Sequence, residues 1–289
     1  APAASEAAPR DWAAMAPADI VAAIRAAGIV GLGGAAFPTA VKLTPPKGKS
    51  IDTLVINGVE CEPYLTSDHR LMLERPADII EGIRILRRVL GVARVFVGIE
   101  KNKPDAIALL TERCRASGEP IEVAPLTVKY PQGAEKQLIK ALLGREVPSG
   151  GLPFEVGVVV QNVGTATAIA DAVVRSRPLV SRVVTVTGDG VKEPRNLRVP
   201  IGTQFSRLIE ACGGYAVEDG AVKLIMGGPM MGLAQYTADV PVVKGTSGVM
   251  VIRHDSRDAK PSACVRCGRC VDICPMGLVP HRIAEYADL

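Results

Sequence analysis

Aromatic residues are scarce in this 289-residue chain, at 3%, and neither sign of charge dominates, with a net charge of +4. Lysines and arginines are scattered. A basic stripe with stacking platforms for nucleic acid is therefore excluded. Long apolar runs are missing too. The longest uncharged stretches, Ala26 to Val41 and Leu224 to Ala238, are broken by Gly and Pro. Both fall short of the roughly 18 apolar residues a membrane span needs. The opening "APAASEAAPR" lacks a basic segment followed by an apolar one. It reads as a flexible Ala/Pro linker and not as a secretory leader, as expected of a fragment of a longer chain.

Seven cysteines is an odd count. Four lie in "CVRCGRCVDICP"; Cys61, Cys114 and Cys212 are scattered. This is not a secreted disulfide framework, and it points to a reducing compartment with a metal site. The scattered cysteines are expected in the core.

What is present is ordinary globular material, 48% hydrophobic and 22% charged, enough for about two domains. "PADIVAAIRAAG" and "PADIIEGIRILRRVLG" begin with Pro and end at Gly, as helices do. Strand-like "TLVIN", "ARVFVGIE", "PIEVAPLTV" and "GVVVQNV" alternate with helical segments. That alternation predicts an α/β layer with a parallel sheet over residues 17–177, after a linker at 1–16. Residues 178–236 read as a β-grasp-like α+β module. Residues 237–261 read as connecting strands, with two strands expected in "VPVVKGTSGVMVIRH", and 262–289 as a truncated ferredoxin-type segment.

Cys264, Cys267, Cys270, Cys274 and Pro275 form C-x2-C-x2-C-x3-C-P, the bacterial ferredoxin run. Soft thiolates at this spacing suit a [4Fe-4S] cluster. Structural zinc more often takes two separated C-x2-C pairs. Either all four thiolates bind one cluster, or a second run lies beyond this chain.

The stretch "GIVGLGGAAFPTAVKL" is bare backbone before one lysine, Lys42. Gly31-x-Gly33-x-x-Ala36 fits a dinucleotide fingerprint, but a helix precedes it and Pro38 follows it, which argues against a Rossmann site. A glycine-rich connector is one reading. A cradle of backbone N–H groups for a phosphate, with Lys42 as point charge, is the other. Asn57, Glu60 and Glu62 follow a strand, where open α/β sheets bind ligands. The two glutamates also read as a solvated loop. Tyr130, Gly133 and Glu135 lead into a helix, as do Gln161, Asn162 and Thr165; a Tyr before Pro often only packs, and an Asn there often only caps.

"GLGGAAFPTAVK", "NGVECEP", "YPQGAE" and "QNVGT", in that order before a β-grasp module and a ferredoxin run, resemble the C subunit of the bacterial Rnf electron-transport complex. They are more distantly similar to the NADH-binding flavoprotein subunit of complex I. The resemblance implies an FMN-binding parallel-sheet α/β domain, a β-grasp-like module and an iron–sulfur segment. It implies that Gly31, Gly33, Gly34, Lys42, Asn57, Glu60, Tyr130, Gly133, Gln161, Asn162 and Thr165 surround FMN. Ala35, Phe37, Glu62 and Glu135 then face NAD(H). Glu60 and Glu62 orient nucleotide and water, with no side chain acting as acid or base. It further implies ferredoxin:NAD electron transfer coupled to sodium or proton movement. The other subunits of a membrane complex are the implied partners, ferredoxin an indirect one, and the cytoplasmic face of the inner membrane the site of docking. A cobalamin reductase of propanediol-utilisation microcompartments and a non-catalytic iron–sulfur scaffold are the alternatives. Departures from the pattern are Ala36 in place of Gly, Val59 in place of an acid, and Leu43 in place of an aromatic. An N-terminal domain and a second cysteine run are absent as well.

Overall fold

The computed structural model describes residues 10–217, 222–253 and 263–287. Contacts divide the chain into two units, 1–253 and 254–289. In chain order the first unit carries α1 (Pro17–Ala26), α2 (Thr39–Lys42), β1 (Thr53–Gly58), α3 (Ser67–Glu74), α4 (Pro76–Leu90) and β2 (Arg94–Glu100). Next come α5 (Pro104–Ala116), β3 (Ile121–Leu126), α6 (Glu135–Leu143), β4 (Val158–Asn162) and α7 (Val163–Arg175). The unit closes with β5 (Ser181–Thr187), β6 (Arg195–Pro200), α8 (Phe205–Ala211), β7 (Val222–Met226), β8 (Leu233–Gln235) and β9 (Gly248–Arg253).

Strands β1 to β4 form a wholly parallel sheet in the order β3-β2-β1-β4. The alternation along β1 assigns its two faces. Leu54 and Ile56 join a core with α1, α4 and α7, while Val55 joins one with α6. Around β1 both faces are covered, which is why β1 and β4 read as near-continuous apolar runs. Helices α1, α4 and α5 each begin with proline, whose missing N–H costs nothing in the first turn. Helix α4 ends at Gly91, in the left-handed region at φ 66°.

Strands β5 to β9 form a mixed sheet in the order β6-β5-β9-β7-β8, packed on α8. Here the sequence reading needs correction. Strand β9, expected among the connecting strands, is the central strand of this sheet, parallel to β5 and antiparallel to β7. Its Val249, Met250 and Val251 are fully buried. The other expected strand, around Val240–Lys244, is reduced to an isolated bridge between Gln204 and Pro241, because proline cannot donate to a ladder. Nor are residues 10–16 a free linker: Arg10 N–H donates to Val174 O at 2.8 Å, and Trp12 Nε1–H donates to Glu81 Oε1 at 2.6 Å. Among its described residues the second unit carries two helices, α9 (Arg269–Asp272) and α10 (Pro280–Ala287).

Helices α4 and α7 meet at Gly82, where a Cβ would lie 1.9 Å from the Ala166 carbonyl oxygen. Gly82→Ala gains about 1 kcal/mol of helix propensity. It also forces two backbones apart, at a cost of roughly 1–3 kcal/mol or more. The overlap is with backbone and cannot be relieved by a rotamer, so the expected result is a lower urea midpoint. An unchanged or raised midpoint would disprove this packing.

Candidate functional site

Parallel register brings the carboxyl ends of the strands together. Asn57 of β1 pairs with Gly98 of β2 on one side and Asn162 of β4 on the other. The Asn57 Nδ2 amide donates to Gly133 O at 2.9 Å, and its Oδ1 accepts from Val59 N–H at 2.9 Å. It thereby stitches the turn after β1 to the Tyr130–Gly133 turn. A Cβ at Gly133 would lie 2.7 Å from Val59 O and 2.9 Å from Cys61 Sγ, so only glycine fits. Asn162 caps α7 by accepting from Gly164 N–H at 2.8 Å.

The glycine loop closes on itself through Gly31 N–H donating to Phe37 O at 2.8 Å. Leu32 N–H donates to Thr165 Oγ1 at 2.9 Å. Beyond Leu32 the backbone is bare. Gly33, Gly34 and Ala35 are exposed, and among the described residues their amides donate to no protein acceptor. Gly34 sits at φ 110°, open only to glycine. Ala36 adopts φ 51°, a left-handed setting that costs an alanine roughly 1–2 kcal/mol. Lys42, at the end of α2, donates to Glu135 Oε1 at 2.5 Å and to Val160 O at 3.3 Å. Phe37 and Tyr130 are half exposed.

The two glutamates are engaged in ways the sequence did not suggest. Glu60 accepts from Asp68 N–H at 2.9 Å, His69 N–H at 3.1 Å and Ser67 Oγ–H at 3.2 Å, and so caps α3. Glu62 Oε1 accepts from the backbone N–H groups of Met230 and Met231 at 2.7 and 3.0 Å, in the turn between β7 and β8. Two residues given no role in the sequence reading emerge. Asp68 accepts from Asn162 Nδ2 at 2.6 Å. Burial, then the neighbouring Glu60 charge, pushes its carboxyl up to about 7. Arg182 of β5 donates to Leu32 O. Neither lies in a recognisable motif; an Arg beside a strand and an Asp in a first turn are commonplace. Tyr64, exposed at φ 70°, was also passed over.

A cavity of about 730 Å³ is lined by Leu32, Asp68, Gly164 and Arg182 but by none of Gly33–Lys42, Asn57 or Gln161. Of the expected cofactor residues, Gly33, Gly34, Ala35, Phe37 and Tyr130 are exposed, while Gln161 and Thr165 are buried beneath them. They suit FMN in kind. Three amides without a protein acceptor suit an anion, Lys42 adds a cation, and among the described residues the buried Gln161 Nε2 donor has no partner, as a group completed by a ligand would lack one.

In the second unit Cys264 and Cys267 are exposed, and Cys270 and Cys274 are half-buried. Arg266 N–H donates to Cys264 Sγ and Leu278 N–H to Cys274 Sγ, both at 3.4 Å. The donor chemistry fits an iron–sulfur cluster. Among the described residues, however, no three His, Cys, Asp or Glu side chains converge to hold a metal ion. Such sites gather as the metal binds.

Residues 24–171 match the Nuo51 FMN-binding domain family, 183–234 the SLBB domain and 260–278 the 4Fe-4S binding domain. The chain is 51% identical to the C subunit of a proton-translocating ferredoxin:NAD(+) oxidoreductase complex of Clostridium ljungdahlii, over 95% of this chain and 60% of that one. It is 50% identical to the Na(+)-translocating counterpart of Acetobacterium woodii, over 90% and 58%. To the C subunit of an ion-translocating oxidoreductase complex of Rhodobacter capsulatus it is 49% identical, over 93% and 51%. The chain thus spans between half and three-fifths of these relatives. Among solved structures, a chain of an NAD+-reducing [NiFe]-hydrogenase superposes with a TM-score of 0.67 at 25% identity, over 82% of this chain and 47% of that one.

Folded, Asp68 holds a proton that the unfolded chain releases near 3.8. Its contribution to stability is complete below pH 4 and is lost as pH rises through 7, by on the order of 2–4 kcal/mol. Asp52, Asp78 and Asp105 are shifted down and act only at lower pH, with the opposite sign. Urea unfolding should therefore show wild type less stable at pH 8 than at pH 5. Asp68→Asn should remove most of that loss, and an unaltered pH slope in the variant would refute the assignment.

Proposed function

The chain belongs to the family of C subunits of ion-translocating ferredoxin:NAD(+) oxidoreductase complexes, and from that membership we propose that it carries the complex's flavin and nicotinamide site. In this reading residues 17–177 hold FMN and NAD(H), and 178–236 are the β-grasp module. Within 237–261, strand β9 completes its sheet, and 262–289 are the iron–sulfur segment, ligated by Cys264, Cys267, Cys270 and Cys274. The observation that carries the reading is convergence. Four stretches far apart in sequence, at 31–42, 57–62, 130–135 and 161–165, meet at the carboxyl edge of one parallel sheet, where such sheets take ligands.

A flavin bound there takes electrons from a nicotinamide as a pair and yields them singly to iron–sulfur centres. The chain's own part is positional. Gly33–Ala35 offer amides, and Lys42 offsets phosphate charge while Glu135 holds its Nζ. Gln161 supplies its unpartnered donor. Glu60 fixes the loop after β1 by capping α3, and Glu62 and Phe37 border the nucleotide side. Electrons pass between NAD(H) and ferredoxin, and partner subunits couple that transfer to sodium or proton movement. No helix among the described residues is long and apolar enough to cross a membrane. In the same reading the chain docks through partner subunits at the cytoplasmic side of the inner membrane. Nothing at the site favours delivery to a corrin.

The test is anaerobic reconstitution, with flavin and iron quantified and NADH titrated under argon. Bound flavin that bleaches with NADH is expected; cluster absorbance without flavin would sink the reading. Lys42→Met should weaken FMN binding about tenfold or more, the worth of a charge-assisted hydrogen bond. Glu62→Gln still accepts from Met230 and Met231. It should leave FMN content unchanged and slow NADH oxidation; loss of FMN instead would refute that role.

A further inference from the structure

We infer that Arg182 is a positioning residue for the glycine loop: reaching out of the second sheet, it sets the conformation of the backbone on which, in the reading above, the flavin lies. Arg182 is 7% exposed. Its Nη2 donates to Leu32 O at 3.2 Å, its Nη1 to Lys244 O, and its Nε to Val183 O at 3.3 Å. All three acceptors are carbonyls; the carboxylate whose charge reaches it is Asp68, and among the described residues the two form no salt bridge. A buried guanidinium without a paired anion is strongly unfavourable by itself. Here it joins two backbone walls that neither module could join by its own ladders.

Those walls flank the loop. Leu32 is the last residue fixed before the bare stretch: Thr165 holds its N–H and Arg182 its C=O. On the other wall, Lys244 Nζ donates to Gly28 O at 2.5 Å, where the loop begins. Gly245 runs against the loop's far side; a Cβ there would lie 3.0 Å from Gly34 O and 3.4 Å from Ala36 Cβ. One guanidinium therefore ties the loop to the segment that packs on it. Without it, Leu32 O is left a buried acceptor with no donor among the described residues, and the Lys244–Gly245 wall keeps only its tie to Gly28.

A merely structural role would weaken the whole second module. The test compares Arg182→Met with Val184→Ala, a core deletion in the same strand, by amide hydrogen exchange on the flavin-free chain and by FMN titration. Arg182→Met should speed exchange of the hydrogen-bonded loop amides, those of Gly31, Leu32 and Thr39, at least tenfold and weaken FMN binding by a similar factor, with the amides of β5 and β9 unchanged. Val184→Ala should do the reverse. Equal acceleration across loop and sheet, or an unmoved loop, overturns the inference. Should Arg182→Met fail to fold, Arg182→Lys, which keeps the charge but spans fewer carbonyls, should give an intermediate loop effect; wild-type exchange there is equally decisive against the inference. Wild type that binds no flavin would defeat the functional reading while the exchange measurement still decides the clamp.

Discussion

The parallel pairing of β1 with β4 is the constraint on which the site rests. It places Asn57 beside Asn162 with no side-chain choice involved, because the register is fixed by two buried faces at once. Slipping one residue would turn Leu54 and Ile56 away from the α4–α7 core and Val55 into it. From that alignment the rest follows in order. Asn162 starts α7 and holds Asp68. Asn57 binds the Tyr130–Gly133 turn, and α7 presents Thr165 to the glycine loop. The site is thus a by-product of core packing, with polar side chains used to join loops.

Its carboxylates divide the work by what donates to them. Glu60 receives two amides and a hydroxyl, the richest set, and sits at the start of a helix, where negative charge is favoured. Asp68, half-buried beside it, receives one amide from Asn162. Desolvation of this carboxyl, then repulsion from the Glu60 charge, makes the less well served of the two keep its proton to about pH 7. Glu62 escapes the conflict by leaving the cluster for the Met230–Met231 turn.

Sequence pattern exposed the parallel sheet, because strands covered on both faces must be apolar throughout, and helix ends marked by Pro and Gly punctuate it. It exposed the thiolate run, since ligand spacing is itself a sequence property. The central place of strand β9 was hidden because topology is not local: an apolar run reads the same whether it closes an edge or fills a centre. The docking of Trp12 was hidden for a similar reason, as its partner Glu81 lies 69 residues on. Glu60 and Glu62 were legible as important and opaque as to how. An acidic residue looks alike in sequence whether it faces a ligand or a helix end.

The glycine loop explains why both modules are needed. Each glycine loses more backbone freedom on ordering than any other residue, roughly 1 kcal/mol beyond alanine. At Gly33 and Gly34 the loop has no side chains with which to recover that loss. Order must come from outside, and it comes from three directions: Thr165 from α7, Arg182 from β5, and Lys244 from the chain before β9. All of these grip the start of the loop, at Gly28 and Leu32. The amides of Gly33, Gly34 and Ala35 are left without acceptors, facing outward. A self-supporting loop would have used those donors internally. Holding the loop by its root is what leaves a rigid row of N–H groups for an anion. It also accounts for Ala36 in the left-handed region: with the flanks fixed, the strain of one alanine is smaller than the contacts that impose it.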